Sequence, residues 1–197
     1  MTTATKVSIS IAGRVVEART VATLVEAFQD DPVCRWAWPG NYQTGFAEFV
    51  PIFGGNAFDL GTAHIAGDFA GAALWLPPGV GPEEEALVGL IQRTADPSIQ
   101  PDLFQMLEQM GRFHPVEPHW YLPLIGVVPA EQGKGLGGAL MSYALAQCDG
   151  DGLPAYLEST NPRNISLYRR HGFEVMGEIR AGSSPVMVPM IRPAKRR

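Results

Sequence analysis

The sequence predicts an α/β fold, a sheet with helices on both faces. Its final third alternates strand, helix, strand, helix and strand, and its middle holds a hairpin between helical runs. The chain has 197 residues, 46% of them hydrophobic, which is enough for one domain with its own core, residues 1–197. The punctuation is regular: Gly and Pro mark the ends of short elements and do not gather into a linker.

Taken in order, residues 19–29 place Val21, Leu24, Val25 and Phe28 at helical spacing, giving a first amphipathic helix. Residues 30–40, DDPVCRWAWPG, read as a turn-rich loop that leaves Trp36 and Trp38 exposed or half-buried. A second helical run covers Tyr42 to Phe53. Gly61–Asp68 and Phe69–Leu76 read as two strands turned around Gly67-Asp68, ended by Pro77-Pro78-Gly79. Residues 82–113 return to helical spacing in two pieces broken at Asp96-Pro97, a helical insertion. His114–Pro118 is an extended connector.

Trp120–Val128 is a strand, with Pro123 marking an irregularity inside it, because proline removes a ladder donor. Leu136, Leu140, Tyr143 and Ala144 form one face of a helix that starts near Gly135. Leu153–Glu158 is the next strand. Asn161, Pro162 and Gly172 give a complete start-and-stop signature for the last helix. Phe173–Arg180 and Val186–Arg192 read as closing strands.

Composition excludes several functions. Fifteen Lys and Arg face twenty Asp and Glu. With the terminal Arg192, Lys195, Arg196 and Arg197 set aside, the body is more acidic still, so a nucleic-acid partner is not expected. Cys34 and Cys148 form neither a disulfide framework nor a zinc pattern, and no metal is expected. No apolar run is long enough to span a bilayer, and MTTATKVSIS shows no signal peptide. A soluble, cytoplasmic protein without a membrane partner is expected.

The informative segment is Val127-Val128-Pro129-Ala130-Glu131-Gln132-Gly133-Lys134-Gly135-Leu136-Gly137-Gly138. It joins a strand to a helix through four glycines. Glycines there let backbone N–H groups face an anion, and the helix start adds partial positive charge. The expected ligand is a phosphate or pyrophosphate, since a merely tight turn would need one glycine. Gly133, Gly135 and Gly138 also satisfy G-x-G-x-x-G, with Glu158 twenty residues on, as in a dinucleotide-binding oxidoreductase. Only 39 residues remain after Glu158, too few for the rest of a doubly wound sheet. A Walker loop fails because Gly follows Lys134.

The chain resembles the GNAT superfamily of N-acetyltransferases. Gln132-Gly133-Lys134-Gly135-Leu136-Gly137 matches that family's acyl-CoA loop, [QR]-x-x-G-x-[GA]. Ile125-Gly126-Val127-Val128-Pro129 matches the strand before it, and Asn161, Tyr168, Gly172 and Phe173 match the N…Y…GF pattern on the last helix. The matches span residues 120–180. The runs 114–140 and 152–175 look like puromycin N-acetyltransferase and its relatives; the preceding part resembles them far less.

The resemblance implies a GNAT fold, a mixed central sheet with helices on both faces, and transfer of an acetyl group from acetyl-CoA to a primary amine of a small molecule. The pantetheine arm would pair with backbone around Ile125 and Val127, and the pyrophosphate would rest on amides from Gly133 to Gly138, with Gln132, Lys134 and Leu136 in the same loop. Lys134 either adds charge or is solvated. Asn161 either contacts the pantetheine or caps its helix, and Asn164 is a second polar contact.

Acetyl transfer to an amine needs a base for the nitrogen proton and an acid for the departing thiolate. Tyr168 takes the acid role at the family's tyrosine position. The strand Trp120–Val128 lacks the acidic residue that many relatives keep there. Glu158 is therefore the base, relaying through water, or else a charged strand end; Glu117 and His119 are weaker alternatives. Trp36, Trp38, Phe46 and Phe49 either wall an acceptor pocket or form core. The insertion either covers the substrate or makes a homodimer contact. An acyl-CoA-binding module without turnover is the remaining alternative.

Overall fold

This computed structural model describes residues 7–195. Met1–Lys6 of the opening stretch and Arg196 and Arg197 of the basic tail lie outside the described residues. Seven strands form one sheet in the order β1-β2-β3-β4-β5-β7-β6: β1 (Ile9–Ile11), β2 (Ala63–Ala66), β3 (Gly71–Leu76), β4 (Trp120–Val127), β5 (Ala155–Ser159), β6 (Glu174–Val175) and β7 (Val188–Arg192). All neighbours run antiparallel except β4 and β5, which are parallel. A doubly wound parallel sheet, and with it the dinucleotide alternative, is thereby ruled out.

The side-chain period of a strand divides this sheet between two cores. Ala72, Leu74 and Leu76 face the first, together with Tyr121, Leu124 and Tyr156. Covering them are α1 (Glu17–Ala27), α2 (Pro32–Ala37), α3 (Tyr42–Gly54), α4 (Asn56–Leu60), α5 (Glu84–Thr94) and α6 (Gln100–Phe113). Ala73 and Trp75 face the second core with Trp120, Leu122 and Leu157, under α7 (Leu136–Asp151) and α8 (Ile165–Arg170).

Leu74 pairs with Leu124 but Leu76 with Tyr121, so β4 carries one extra residue at Leu122-Pro123. This is the irregularity that Pro123 announces. A bulge also exchanges faces. Tyr121 and Leu124, three positions apart, both reach the first core, whereas strict alternation would separate them.

Several elements differ from the sequence-based expectation. The hairpin strands are shorter, and Phe69 sits in the turn with φ of 58°. The loop 30–40 contains α2, because the Asp31 side chain accepts from the Val33 and Cys34 amides and Pro32 starts the helix. Trp38 is buried, its Nε1 donating to Thr94 Oγ1 at 2.9 Å. Strand β1 carries no recognisable period because Ile9 is only partly buried and Ser10 and Ile11 are exposed. Tyr143 is 45% exposed, and Met141 and Leu145 take its place in the core face of α7. The stretch Phe173–Arg180 narrows to β6 and one bridge, Ile179 to Met187.

Candidate active site

Strands β4 and β5 pair only at Trp120–Ala155 and Tyr121–Tyr156 and then part. Each keeps its antiparallel partner on the other side, β3 for β4 and β7 for β5. The diverging pair therefore leaves a cleft edged by Ile125, Gly126 and Val127, with backbone groups facing it that no β5 residue takes. Gly126 is a site of close approach: a Cβ built there would stand 2.6 Å from Ala27 Cβ, so the end of α1 packs directly on the strand.

The cleft runs on to the glycine segment. Gly133 and Gly135 have φ of 77° and 84°, which a side chain rarely adopts, and a Cβ on either would meet no protein atom within 4 Å. The first helical bond of α7 goes from the Ala139 amide to the Gly135 carbonyl, so the amides of Leu136, Gly137 and Gly138 precede it and are free of intrahelical partners. With the start of a 16-residue helix behind them, these amides suit an anion. Arg163, Arg170 and His171 line the same cleft.

The side chains of the segment have local duties too. Gln132 Nε2 donates to the Val127 carbonyl at 3.0 Å, tying the loop to the end of β4. Lys134 is paired with Glu131 at 2.9 Å and is exposed. Asn161 Oδ1 caps the turn at Pro162–Asn164 by accepting from the Arg163 amide, and both Asn161 and Asn164 line the cleft.

Beyond the glycine cleft lies a second cavity, under the first face of the sheet. Phe28, Ile125, Asn164 and Tyr168 line both spaces, so they stand at the junction. Tyr168 is 5% exposed, and burial with the nearby Asp31 charge raises its phenol well above the usual tyrosine range. It therefore keeps its proton at any ordinary pH. Asp31 is itself buried and holds Thr160 through its other oxygen at 2.6 Å, which fixes the start of α2 against the end of β5.

Glu158 projects from β5 into the second cavity. Its Oε2 accepts from the Tyr121 hydroxyl at 2.8 Å, while its buried Oε1 has no hydrogen-bond partner. The Tyr156 hydroxyl acts on the same carboxyl without reaching bonding geometry, and is likewise left without a partner. Burial is the dominant influence, and it lifts the Glu158 pKa to about 7 against the opposing help of Tyr121 and Tyr156. Such a carboxylate is poised to accept a proton near neutral pH.

The alternative bases lie elsewhere. His119 Nδ1 donates to the Glu117 carbonyl at 2.8 Å, and the two Nε2 atoms of His119 and His114 are 3.0 Å apart. They line a separate opening with Pro78, Val80 and Tyr121, and the His114 ring packs edge-on against Tyr121 and Tyr156 at 4.9 Å from each. Of the four aromatics considered from the sequence, Trp38, Phe46 and Phe49 line the cavity, whereas Trp36 is drawn away to Ser183 at 3.1 Å. Helices α5 and α6 supply one wall through Leu87, Ile91, Leu103 and Met106, so the insertion covers this cavity. Sequence reasoning missed Tyr121, Asp31 and Thr160. Tyr121 meets Glu158 across 37 positions and Thr160 meets Asp31 across 129, which leaves no local signal, whereas the capping of α2 by Asp31 is local.

Comparison with known proteins identifies the family of the fold. The acetyltransferase (GNAT) family matches residues 27–173. An uncharacterized N-acetyltransferase of Schizosaccharomyces pombe is 30% identical over 184 residues, covering 79% of this chain and 69% of that one. Mycothiol acetyltransferase of Streptomyces avermitilis is 33% identical over 105 residues, 47% of this chain, and the match spans only 34% of its length. Among solved structures, a protein described as histone acetyltransferase HPA2 and related acetyltransferase from Corynebacterium glutamicum superposes with a TM-score of 0.71 at 25% identity, covering 98% and 99% of the two chains. The mixed seven-stranded sheet is the GNAT fold, and this chain, an acetyltransferase, belongs to the acetyltransferase (GNAT) family.

Proposed function

We propose that the enzyme transfers an acetyl group from acetyl-CoA to the primary amine of a small molecule. The observation that carries this reading is the junction at Tyr168, where a glycine-rich, anion-accepting cleft meets a cavity holding a carboxylate poised near pH 7. Acetyl-CoA supplies an activated thioester. In this reading the Leu136–Gly138 amides take the pyrophosphate, with Gln132, Gly133 and Gly135 shaping the loop. The open edge at Ile125 and Val127 takes the pantetheine as an added strand, with Asn161 and Asn164 beside it.

Glu158 Oε1, lacking a partner, accepts one proton from the incoming ammonium. The neutral amine forms a bond to the acetyl carbon as the carbon–sulfur bond breaks. Tyr168 gives its proton to sulfur and is restored by the second nitrogen proton, so the net products are an amide, a thiol and one proton released through Glu158. Water exclusion by the apolar walls strengthens each of these contacts.

Two buried, unbridged cysteines fit a reducing compartment such as the cytoplasm. Among the described residues, no helix is long and apolar enough to cross a membrane. The resemblance of runs 114–140 and 152–175 to puromycin N-acetyltransferase makes puromycin one acceptor to assay. The deciding experiment titrates acetyl-CoA by calorimetry and then follows thiol release with a panel of amines. Binding without release by any amine would reduce the protein to an acyl-CoA-binding module, and absence of binding would remove the cofactor assignment.

A further inference from the structure

Polarity in the second cavity is segregated. Among the residues lining it, Glu158 is the one charged side chain. Other polar groups on the wall are already engaged: the Trp38 indole N–H donates to Thr94, and the Thr160 hydroxyl to Asp31. What remains free for a ligand is Glu158 Oε1, with Tyr168 and Asn164 at the cleft junction. The rest of the wall is hydrocarbon, aromatic rings and thioether, contributed by Phe46, Phe49, Leu87, Ile91, Met106 and Met110.

From this separation we infer that the acceptor is a monoamine carried on an apolar body of aromatic size, and not a polyamine or a polyhydroxylated amine. This rests on the acetyl-transfer reading above and names its substrate class. One ammonium is matched by one partnerless carboxylate oxygen at the reactive end. A second ammonium would be buried among Leu, Ile, Met and Phe with no counter-charge, and hydroxyl groups would be stripped of water without replacement bonds. A ring, by contrast, is met by apolar and aromatic surface: Phe46, Phe49 and Phe53 line the cavity and stack on one another, with successive centroids 5.7 and 4.6 Å apart. Met106 and Met110, on α6, are flexible enough to adjust to its outline.

The test compares 2-phenylethylamine with putrescine at matched concentration, by thiol release and by calorimetric binding to the protein without acetyl-CoA. The expected kcat/KM ratio favours 2-phenylethylamine by about 100-fold or more, the scale on which unpaired buried polar groups discriminate. Phe49→Ala should raise KM for 2-phenylethylamine about tenfold and leave acetyl-CoA affinity unchanged; if circular dichroism shows that it misfolds, Phe49→Leu replaces it and should raise KM less.

Putrescine used as well as or better than 2-phenylethylamine, with acetyl-CoA bound normally, would overturn this inference and leave the acetyl-transfer reading standing. Failure to bind acetyl-CoA would overturn that reading instead. Should acetyl-CoA bind and neither amine react, tighter binding of 2-phenylethylamine than of putrescine still supports the substrate class, and no binding of it overturns the class.

Discussion

The Tyr121 hydroxyl donates to Glu158 Oε2 at 2.8 Å, joining β4 to β5 immediately beyond the last pair these strands share, Tyr121 with Tyr156. One bond thus bridges the mouth of the divergence and holds the carboxylate toward the second cavity. It also stabilises the charged form, opposing the upward pull of burial.

Tyr121→Phe should therefore raise the Glu158 pKa above its value of about 7. A base works only when deprotonated, so the acidic limb of the kcat/KM profile should move to higher pH in this variant. Glu158→Gln should lower the rate most above pH about 7, where the wild-type carboxylate is deprotonated, and least below it, where the wild-type group is already protonated. An unmoved limb in Tyr121→Phe would assign that limb to another group.

Tyr168→Phe keeps the ring at the junction of the two cavities and deletes only the hydroxyl. If that proton reaches sulfur in the transition state, kcat should fall by about 10²–10⁴-fold with acetyl-CoA affinity little changed. Near-normal kcat on an acceptor for which chemistry limits turnover would make Tyr168 a packing residue.

Gly135→Asp places a side chain and a negative charge at a backbone φ of 84°, beside the amides that begin α7. Acetyl-CoA binding should weaken at least about 100-fold by calorimetry, while circular dichroism remains that of a folded protein. Unchanged affinity would move the phosphate site elsewhere.

Gly126→Ala inserts a methyl group where 2.6 Å separates the built Cβ from Ala27. Overpacking of this kind costs about 1–3 kcal/mol. Urea unfolding should show the loss, and the acetyl-CoA affinity should fall with it, because the displaced strand edge borders the cleft.

Glu158 has a second consequence, for stability. Its pKa is raised from 4.5 to about 7 by folding, so between those values the folded protein binds the proton more tightly than the unfolded chain. The sign follows: stability falls as pH rises through this window, and the cost is complete above it, on the order of 3 kcal/mol. Glu158→Gln lacks this dependence. Its stability relative to the wild type should increase from pH about 4.5 to about 7 and then level off. A constant difference across the window would contradict the shift.

Much of this protein was legible in its residues. The four glycines after Pro129, the proline inside β4 and the Asn161-Pro162…Gly172 signature each act within a few positions, through backbone freedom, a missing donor or a cap. Local causes leave local marks, and so the cleft, the bulge and the last helix were found where the sequence placed them. Helix α2 escaped notice because its Asp31 cap sits in a run rich in turn residues. The tertiary structure decided what distance hides. Only folding brings Tyr121 to Glu158 and Asp31 to Thr160, sets α5 and α6 over the cavity, and excludes water from the carboxylate. The sequence determined that Glu158 is present at the end of a strand; desolvation by residues far along the chain decided its pKa, because burial is a property of the assembled core and not of any segment.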